Sequence, residues 1–461
     1  MAAVSTYDLT GNACIDALLG DAKWATNRLT YSFPTSSAPY GASYGSGEAA
    51  SGFGAFGASQ QSAARAALKL YSEVCNLTFT RIVETGDQHA SIRFAQSNAP
   101  ETAWAYFPAE PESGGDVWLN NWDYDRPHKG NYAYLTLVHE IGHAIGLEHA
   151  HEGNVMPFSR DSMEYTVMSY RAHVGASIET GYTNETWGYA QSLMMYDIAA
   201  VQHMYGANYA TNSAGTTYSW SPTTGEMFVD GVGQGKPGGN QIFLTVWDGG
   251  GTDTYDFSRY TSGLRIDLQP GAWTRTSPEQ RAKLDQDGSK LAAGNIANAL
   301  LHQGDERSLI ERAIGGSGSD VIKGNGIGNV LQGKAGNDRL YGLDGNDVLI
   351  GGAGKDVLSG GGGSDVFTFR SVSESHGSAI DTIRVFVRGA DRIDLRGIDA
   401  DIAAAGDQAF TFIGASAFSG EAGELTFSRG VLSGDVNGDR IADVRIAVTG
   451  PSALSAGDFY L

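Results

Sequence analysis

The residues best suited to chemistry lie between positions 139 and 149, which read HEIGHAIGLEH. His139 and His143 are four residues apart, so on a helix they lie on one face about one turn apart and can bind one metal ion. Gly146 can take a positive φ, end that helix and return His149 to the same ion. Three neutral imidazoles that leave one coordination position open are typical of a catalytic zinc site rather than a structural one.

Glu140 directly follows the first of these histidines. A carboxylate beside a zinc-activated water can take its proton and pass it to a leaving amine, so Glu140 is predicted to act as a general base in hydrolysis. The helix that carries it has an apolar side for the core, which leaves the histidine face to line a cleft. The apolar positions are Leu135, Leu137, Val138, Ile141, Ala144 and Ile145.

Other elements are needed to position this helix. Apolar residues at helical spacing predict further helices over 59–76 and 187–205, and clustered β-formers predict strands over 77–83, 90–95 and 115–120. These elements indicate an α+β domain. A strand with a free edge beside the cleft could pair with an extended peptide, although an ordinary sheet strand fits the sequence equally well.

A second hydrolase motif is present but lies in the wrong context. Gly41 to Gly45 match the GxSxG pattern of serine hydrolases. A nucleophile elbow needs a strand before it and a helix after it, whereas this segment lies in a tract rich in glycine and serine. We therefore interpret the match as coincidental, which also disfavours a lipase.

The composition limits the possible partners. The chain has 461 residues, 41% of them hydrophobic, and a formal net charge of -21. Its length predicts two or more domains, and its acidity excludes a nucleic-acid partner and favours cations. No run of about 18 apolar residues occurs, so stable membrane insertion is not expected. Cys14 and Cys75 could form one bridge or remain free thiols.

Glycine is over-represented at 63 residues, many of them in a nine-residue repeat that runs six times from Gly315 to Thr368 and fits GGxGxDxUx, where U is apolar. Glycines allow tight turns whose carbonyls converge on an ion, aspartates supply charge, and the apolar residues stack inside a parallel β-roll. A low-complexity linker is the alternative. The predicted calcium ligands are Gly316, Gly318, Asp320, Gly336, Asp338, Gly345, Asp347, Gly354, Asp356, Gly363 and Asp365, with Asp381, and less clearly Glu374, closing the last site.

Two parts of this region depart from the pattern. The second repeat has Ile327 in place of glycine and Asn329 in place of aspartate, so its calcium site is expected to be weak or missing. The run from Asp435 to Asp443 has acidic spacing that could bind calcium, but Asn437-Gly438 also suits a hairpin turn, which we favour. Strand-like segments after Thr368 are expected to extend the roll into a β-sandwich.

A Met-Ser-Tyr turn, residues 168–170, follows the third histidine by about twenty residues. HExxHxxGxxH followed by this turn resembles the metzincin zinc endopeptidases, and most closely their serralysin branch. The resemblance implies that Met168 forms an apolar floor beneath the histidines. It also implies that Tyr170 is a weakly held further zinc ligand that stabilises the transition state.

The same resemblance covers nearly the whole chain. A strand runs into an acidic glycine turn at 248–253, where serralysins are similar, and the matching calcium ligands would be Asp248, Gly250, Gly251 and Asp253, with Glu311 from a later segment. The last residues, 457–461, are an acidic residue followed by apolar ones, and resemble the C-terminal signal of proteins secreted through ABC-type exporters. The N-terminus lacks the features of a secretory signal peptide.

Together these features predict a secreted zinc endopeptidase that acts on protein and peptide substrates, folded as a monomer. We expect an N-terminal metzincin domain over 1–236 and, over 237–461, an all-β calcium-binding domain built as a parallel β-roll and sandwich. The other class to consider is a repeat-containing toxin or adhesin with a vestigial zinc domain. The complete set of three histidines, glutamate, Met168 and Tyr170 argues against such decay.

Overall fold

A computed structural model describes residues 3–41, 44–85 and 88–461. Ser43, the central residue of the GxSxG match, lies outside the described residues. The helices are α1 Ala13–Asp16, α2 Ala58–Val74, α3 Tyr132–Ile145 and α4 Met195–Tyr205. The N-terminal strands are β1 Val4–Ser5, β2 Lys23–Trp24, β3 Arg28–Ser32, β4 Gly54–Ala55, β5 Thr78–Arg81, β6 Ile92–Ser97, β7 Ala103–Ala105 and β8 Val117–Asn120.

All remaining strands follow α4 in the chain. They are β9 Thr217–Trp220, β10 Met227–Val229, β11 Val232–Gly233, β12 Leu244–Val246, β13 Thr254–Asp256, β14 Arg265–Asp267, β15 Trp273–Thr274, β16 Ile296–Asn298, β17 Arg312–Ile314, β18 Val321–Lys323, β19 Val330–Ala335, β20 Arg339–Asp344, β21 Val348–Ala353, β22 Val357–Gly362, β23 Val366–Thr368, β24 Asp381–Arg384, β25 Arg392–Asp394, β26 Thr411–Phe412, β27 Glu424–Ser428, β28 Val431–Asp435, β29 Val444–Val448 and β30 Phe459–Tyr460.

The N-terminal part is an α+β structure, as predicted. Its main sheet has the order β5-β3-β6-β8-β7, with β4 also paired to β6. The strands β5, β3, β6 and β8 run parallel, and β7 is antiparallel at the edge. Helices α2 and α3 share one apolar core that includes Leu68, Tyr71, Leu137 and Ile141. Burial of these helix faces holds α3 in place.

Helix α4 is shorter than the predicted helix over 187–205, which was wrong over its first eight residues. The backbone N–H of Tyr189 donates to Gly130 and that of Gln191 donates to Phe243, so both bond to distant segments instead of to a helical turn. Asn184 binds the Gly188 carbonyl through its side chain. Tertiary partners thus override the apolar periodicity at this point.

The C-terminal part is built almost entirely of strands. Two large sheets, of ten and nine strands, face each other, and the repeats contribute alternately to one sheet and the other. Within each sheet the repeat strands are parallel, as shown by Val330 opposite Val348 and Arg339 opposite Val357. One turn of the roll therefore uses two nine-residue repeats. The apolar repeat positions are fully buried: Ile322, Leu331, Leu340, Leu349, Leu358 and Phe367.

Two further segments can be compared with the predictions. The polar stretch over 211–236, interpreted as an interdomain connection, contains β9, β10 and β11, and β9 pairs in parallel with β13 of the ten-stranded sheet. The favoured hairpin is present, because β28 and β29 are antiparallel on either side of Gly438, which has φ +74°. The domain boundary at 236/237 remains a prediction.

Cys14 and Cys75 are free thiols, and Cys75 is buried against the Tyr71 carbonyl. Within the ranges that the structure describes, no helix is both long and apolar enough to cross a bilayer.

Candidate metal centre

Helix α3 begins and ends at sharply defined residues. At its start the Asn131 side chain accepts a hydrogen bond of 3.0 Å from the Tyr134 N–H. At its end Gly146 has φ +111°, as predicted, and a Cβ there would lie 2.6 Å from the Ala22 carbonyl oxygen. Trp24 and Tyr205 donate to the last helical carbonyls. These contacts determine where the chain leaves the helix towards His149.

The three histidines converge through one nitrogen of each ring. Nε2 of His143 lies 3.1 Å from Nε2 of His139 and 2.9 Å from Nε2 of His149. His139 and His143 are buried, and His149 is partly exposed. The spacing in the sequence is thus converted into a three-nitrogen cluster.

The outer nitrogens determine how protons are placed in this cluster. Nδ1 of His139 lies 2.8 Å from the Val167 carbonyl oxygen, and Nδ1 of His143 lies 2.8 Å from that of Leu147. A carbonyl only accepts, so both Nδ1 atoms carry hydrogen and both Nε2 atoms of the neutral rings present lone pairs. Lone pairs about 3 Å apart repel each other unless a cation lies between them. The donor set therefore fits a divalent metal such as zinc.

Electrostatics favour the neutral ligand forms. Burial, followed by the neighbouring His149, lowers the pKa of His139 to about 3. Burial also lowers the pKa of His143 well below its ordinary value. Both imidazoles are therefore unprotonated at Nε2 near neutral pH, which is the form that binds a metal.

Glu140 lies beside the cluster with an oxygen available for reaction. The residue is 5% exposed, and its Oε2 is buried without a hydrogen-bond partner in the part of the chain that the structure describes. Burial raises the pKa of Glu140 to about 8. A buried unpartnered oxygen is costly, so such an atom in a cleft points to a water or substrate partner.

Met168 is fully buried beneath the helix. A Cβ at Gly142 would lie 2.7 Å from the Met168 sulfur. The absence of a side chain at Gly142 therefore makes room for Met168. The placement matches the apolar floor implied by the resemblance. The role itself stays a prediction.

Asp197 is a contributor that the sequence analysis missed. It is the N3 residue of α4, and it accepts hydrogen bonds of 2.8 Å from the N–H groups of Val167 and Met194, and one from the Thr166 hydroxyl. The Val167 carbonyl in turn binds Nδ1 of His139. Asp197 thus helps to orient His139 through the backbone of Val167, without contacting the histidine itself. An aspartate near a helix start was the only signal in the sequence.

Tyr170 stacks over the histidines at the mouth of the cleft. Its ring centroid lies 4.6 Å from that of His149 and 5.8 Å from that of His139. The side chain is 37% exposed, and burial of the remainder raises the pKa of its phenol, so the hydroxyl stays protonated and able to donate. The structure therefore brings Tyr170 to the site predicted for it.

A cleft of about 460 Å³ opens beside His139 and Glu140. Its walls are largely aromatic and apolar, formed by Tyr132, Leu135, Ile178, Tyr182 and Tyr189, and Thr102 and Ala103 at the edge strand β7 also line it. The cleft thus combines an apolar pocket with a free strand edge.

The repeat aspartates form two columns in the roll. From Asp338 to Asp365, each Oδ1 accepts the backbone N–H of the residue 18 positions earlier, as Asp356 does from Asp338 and Asp365 does from Asp347. Each Oδ2 is buried without a partner among the described residues at Asp338, Asp347, Asp356, Asp365 and Asp381. Burial raises the pKa of Asp338 and Asp347 to about 7 and that of Asp381 to about 8.

The predicted glycines of these columns adopt the required backbone. Gly336, Gly345, Gly354 and Gly363 all have φ between +116° and +138°. Gly363, for example, approaches the chain so closely that a Cβ would lie 1.9 Å from the Gly345 carbonyl oxygen. Gly316 and Gly318 in the first repeat have no positive φ, and both oxygens of Asp320 accept backbone N–H groups. The first repeat therefore lacks the unpartnered oxygen of the later ones.

The last members of the columns come from outside the repeats. Asp381 accepts the N–H of Asp356 at 2.7 Å, as expected for a residue that closes the last site. Asp391, which the sequence analysis missed, occupies the same position in the other column and accepts the N–H of Asp365 at 3.2 Å. It lies 26 residues after Asp365 rather than 18, so the repeat period gives no signal for it.

The second repeat replaces the unpartnered oxygen by an amide. Nδ2 of Asn329 donates to the Glu311 carbonyl at 3.2 Å and to Oδ1 of Asn325 at 3.1 Å. The amide hydrogens thus face oxygens that a cation would otherwise bind. This geometry supports the expected weak or missing calcium site.

The acidic turn at 248–253 also gathers its predicted residues. Asp253 donates its N–H to Glu311 at 2.6 Å, and Oδ2 of Asp253 is buried without a partner among the described residues. Gly250 donates to Asp248, and both Gly250 and Gly251 have positive φ. Burial raises the pKa of Asp248 to about 6 and that of Asp253 to about 7. Crowded carboxylates of this kind suit a bound cation.

A cleft helix with three converging imidazoles, joined to a β-rich domain, defines a zinc metalloendopeptidase of the metzincin type. Residues 56–166 match the family model described as Matrixin. Residues 207–461 match the one described as Peptidase M10 serralysin C terminal. The chain belongs to the serralysin family.

Its relatives support this membership over most of the length. The metallopeptidase AprA of Pseudomonas marginalis is 35% identical, covering 97% of this chain and 87% of that protein. The metalloprotease AprA of Pseudomonas entomophila is 36% identical, with coverage of 94% and 85%. Serralysin of Proteus mirabilis is 35% identical, with 80% and 74%.

A solved structure, the AlgE6R3 subunit of the Azotobacter vinelandii mannuronan C5-epimerase, aligns at 29% identity with a TM-score of 0.24, over 31% of this chain and 78% of that one.

Proposed function

We propose that the chain hydrolyses peptide bonds at a zinc held by His139, His143 and His149, with Glu140 as general base and Tyr170 as the group that stabilises the transition state. The main support is that the Nε2 lone pairs of His139 and His143 face the cluster, because Nδ1 of each ring donates a hydrogen bond to a backbone carbonyl. Beside it lies the unpartnered Oε2 of Glu140.

Zinc bound there supplies Lewis acidity, which activates a water and polarises the scissile carbonyl. Glu140 takes the proton of the attacking water at Oε2 and delivers it to the leaving amine. Its raised pKa suits both steps, because a carboxyl with a pKa near the working pH can accept and release a proton. The Tyr170 hydroxyl donates towards the developing oxyanion.

The cleft supports an extended peptide as the substrate. Strand β7 is the edge of its sheet, and Ala103 in that strand lines the cleft. A substrate strand that pairs with β7 would place its scissile bond over the histidines. The aromatic pocket beside His139 would bind an apolar side chain next to that bond.

The test is Glu140→Gln. This variant should keep one zinc per chain, because the histidines are unchanged, and should lose about 10²- to 10⁴-fold in kcat on a peptide substrate. Near-wild-type turnover would contradict the assignment. Glu110→Gln, the same change at an exposed glutamate of the catalytic part, is the matched control and should keep wild-type turnover.

We also propose that calcium stabilises the roll. The unpartnered Oδ2 atoms of Asp338, Asp347, Asp356, Asp365 and Asp381 support this, as do the convergent turns of their glycines. The division into a catalytic domain over 1–236 and a calcium domain over 237–461 belongs to the same proposal. Secretion, ABC-type export and a monomeric state remain predictions. Casein hydrolysis that a zinc chelator abolishes would separate this function from a toxin or adhesin.

A further inference from the structure

Three side chains gather on the outer side of the third histidine. His151 and Glu152 follow His149 closely in the chain, and one potential ligand atom from each of the three lies within 4.8 Å of the others. The rings of His149 and His151 are stacked, with centroids 5.4 Å apart and an interplanar angle of 21°. This second cluster shares His149 with the catalytic one but extends away from it.

The Glu152 carboxylate faces both imidazoles. Its Oε2 lies 3.3 Å from Nδ1 of His149, and its Oε1 lies 3.7 Å from Nε2 of His151. Donors bound to a tetrahedral zinc at 2.0–2.1 Å are separated by about 3.3 Å. Glu152 is about half exposed, so its flexible side chain can close the remaining difference.

His149 differs from the other two histidines at its outer nitrogen. Nδ1 of His139 and Nδ1 of His143 are tied to backbone carbonyls. Nδ1 of His149 is buried and makes no hydrogen bond within the described ranges, and Oε2 of Glu152 faces it at 3.3 Å. Buried ring nitrogens without partners are uncommon and point to a ligand. Glu148, 3.7 Å from the same Nδ1 of His149, adds negative charge there.

We propose that His149, His151 and Glu152 form a second divalent-metal site beside the catalytic centre, and that filling it slows peptide hydrolysis. Two imidazoles and one carboxylate select a borderline transition metal such as Zn²⁺ or Cu²⁺ over Ca²⁺ or Mg²⁺. His149 then bridges the two ions as an imidazolate: Nε2 stays with the catalytic cluster, and Nδ1 binds the second ion after releasing its proton to solvent past the facing Glu148 and Glu152 carboxylates. The inhibition rests on the proposed function, because it requires that His149 serves the catalytic zinc.

The position of the site explains the expected inhibition. A second cation on the same ring lies close to the catalytic zinc, and repulsion between the two cations weakens the hold of the cluster on the catalytic ion. The His151 ring also lies 4.9 Å from that of Tyr170, so holding His151 on an ion restricts the tyrosine at the mouth of the cleft. Sharing one imidazole between two cations makes the second site the weaker of the two.

The test uses the calcium-saturated holoenzyme with one zinc per chain, titrated with further Zn²⁺. Equilibrium dialysis should show a second, weaker equivalent, and turnover of a peptide substrate should fall over the same concentration range. His151→Ala and the isosteric Glu152→Gln should each raise both midpoints by about 10- to 100-fold, with turnover expressed relative to each variant's own rate without added zinc. His128→Ala, which removes an exposed histidine elsewhere in the catalytic part, should behave like wild type.

The site would be contradicted if the wild type bound only one zinc, or if both variants bound the second zinc with the wild-type midpoint. A second ion that fills without lowering turnover would overturn the inhibition. The first zinc equivalent and the basal turnover of the wild-type protein test the proposed function separately, since both are measured before any further zinc is added.

Discussion

The histidine cluster and the aspartate columns of the roll, which we propose bind zinc and calcium, position their side chains by opposite means. In the zinc centre, α3 is fixed by apolar packing, and the imidazoles of His139 and His143 are oriented by backbone carbonyls, so the protein alone determines the geometry. In the roll, a thin apolar column supports two columns of carboxylates whose outer oxygens have no partner among the described residues. A preorganised site can lose its metal and keep its shape, whereas a roll with buried, unpartnered carboxylate oxygens is expected to need cations to fold.

Calcium removal should therefore have the largest effect. Unpartnered Oδ2 atoms at Asp338, Asp347, Asp356, Asp365 and Asp381 each cost about 1–3 kcal/mol, together about 5–15 kcal/mol, which equals the usual stability of a domain. In a calcium chelator, hydrogen exchange should become fast over β17–β25. A zinc-selective chelator should leave α3 protected. Unchanged protection of the roll without calcium would remove the contrast between the two regions.

Asp197→Asn tests whether the zinc centre is oriented by the protein. The Asp197 carboxylate accepts three hydrogen bonds, and an amide cannot accept all of them. The Val167 carbonyl should therefore shift and hold the His139 ring less firmly. Zinc affinity, measured by competition with a chelator, should fall about 10- to 100-fold. Exposed Asp21→Asn is the matched control. An unchanged affinity would mean that α3 alone orients the histidine.

Asn329→Asp would make the second repeat resemble the later ones. The change removes the donor to the Glu311 carbonyl and leaves oxygens facing each other, so stability in chelator should fall by about 1–3 kcal/mol. Added calcium should restore it. Thermal unfolding with and without calcium measures the difference, with exposed Asn337→Asp as control. If calcium dependence does not increase, Asn329 does not replace a cation.

The smallest expected effect concerns the backbone of the roll. Lys334 is exposed and has φ +78°, where a side chain costs about 1–2 kcal/mol, so Lys334→Gly should raise stability by roughly 0.5–1 kcal/mol after the entropy of glycine is subtracted. Lys355, in the turn that follows the next strand of the same sheet, is exposed without a positive φ, so Lys355→Gly should lower stability. Urea midpoints of the two variants should move in opposite directions.

Local spacing was sufficient to predict the parts of the molecule that are local in sequence. His139, His143 and Gly146 lie within three helical turns, and the repeat period predicted the buried column from Ile322 to Phe367. Asp197 and Asp391 were missed because each acts through a contact with a residue far outside its own pattern. The start of α4 was misplaced for the same reason, since residues 187–194 bond to distant segments.

The hydrogen bonds of the aspartate columns give the roll a direction. The N–H of Asp338 is satisfied by Asp356, and that of Asp356 by Asp381, so each turn is completed by chain that follows it. Asp381 and Asp391 are the last acceptors of the two columns. Truncation from the C-terminal side should therefore destabilise all the preceding turns of the roll, whereas loss of the first repeat should leave the later turns hydrogen-bonded.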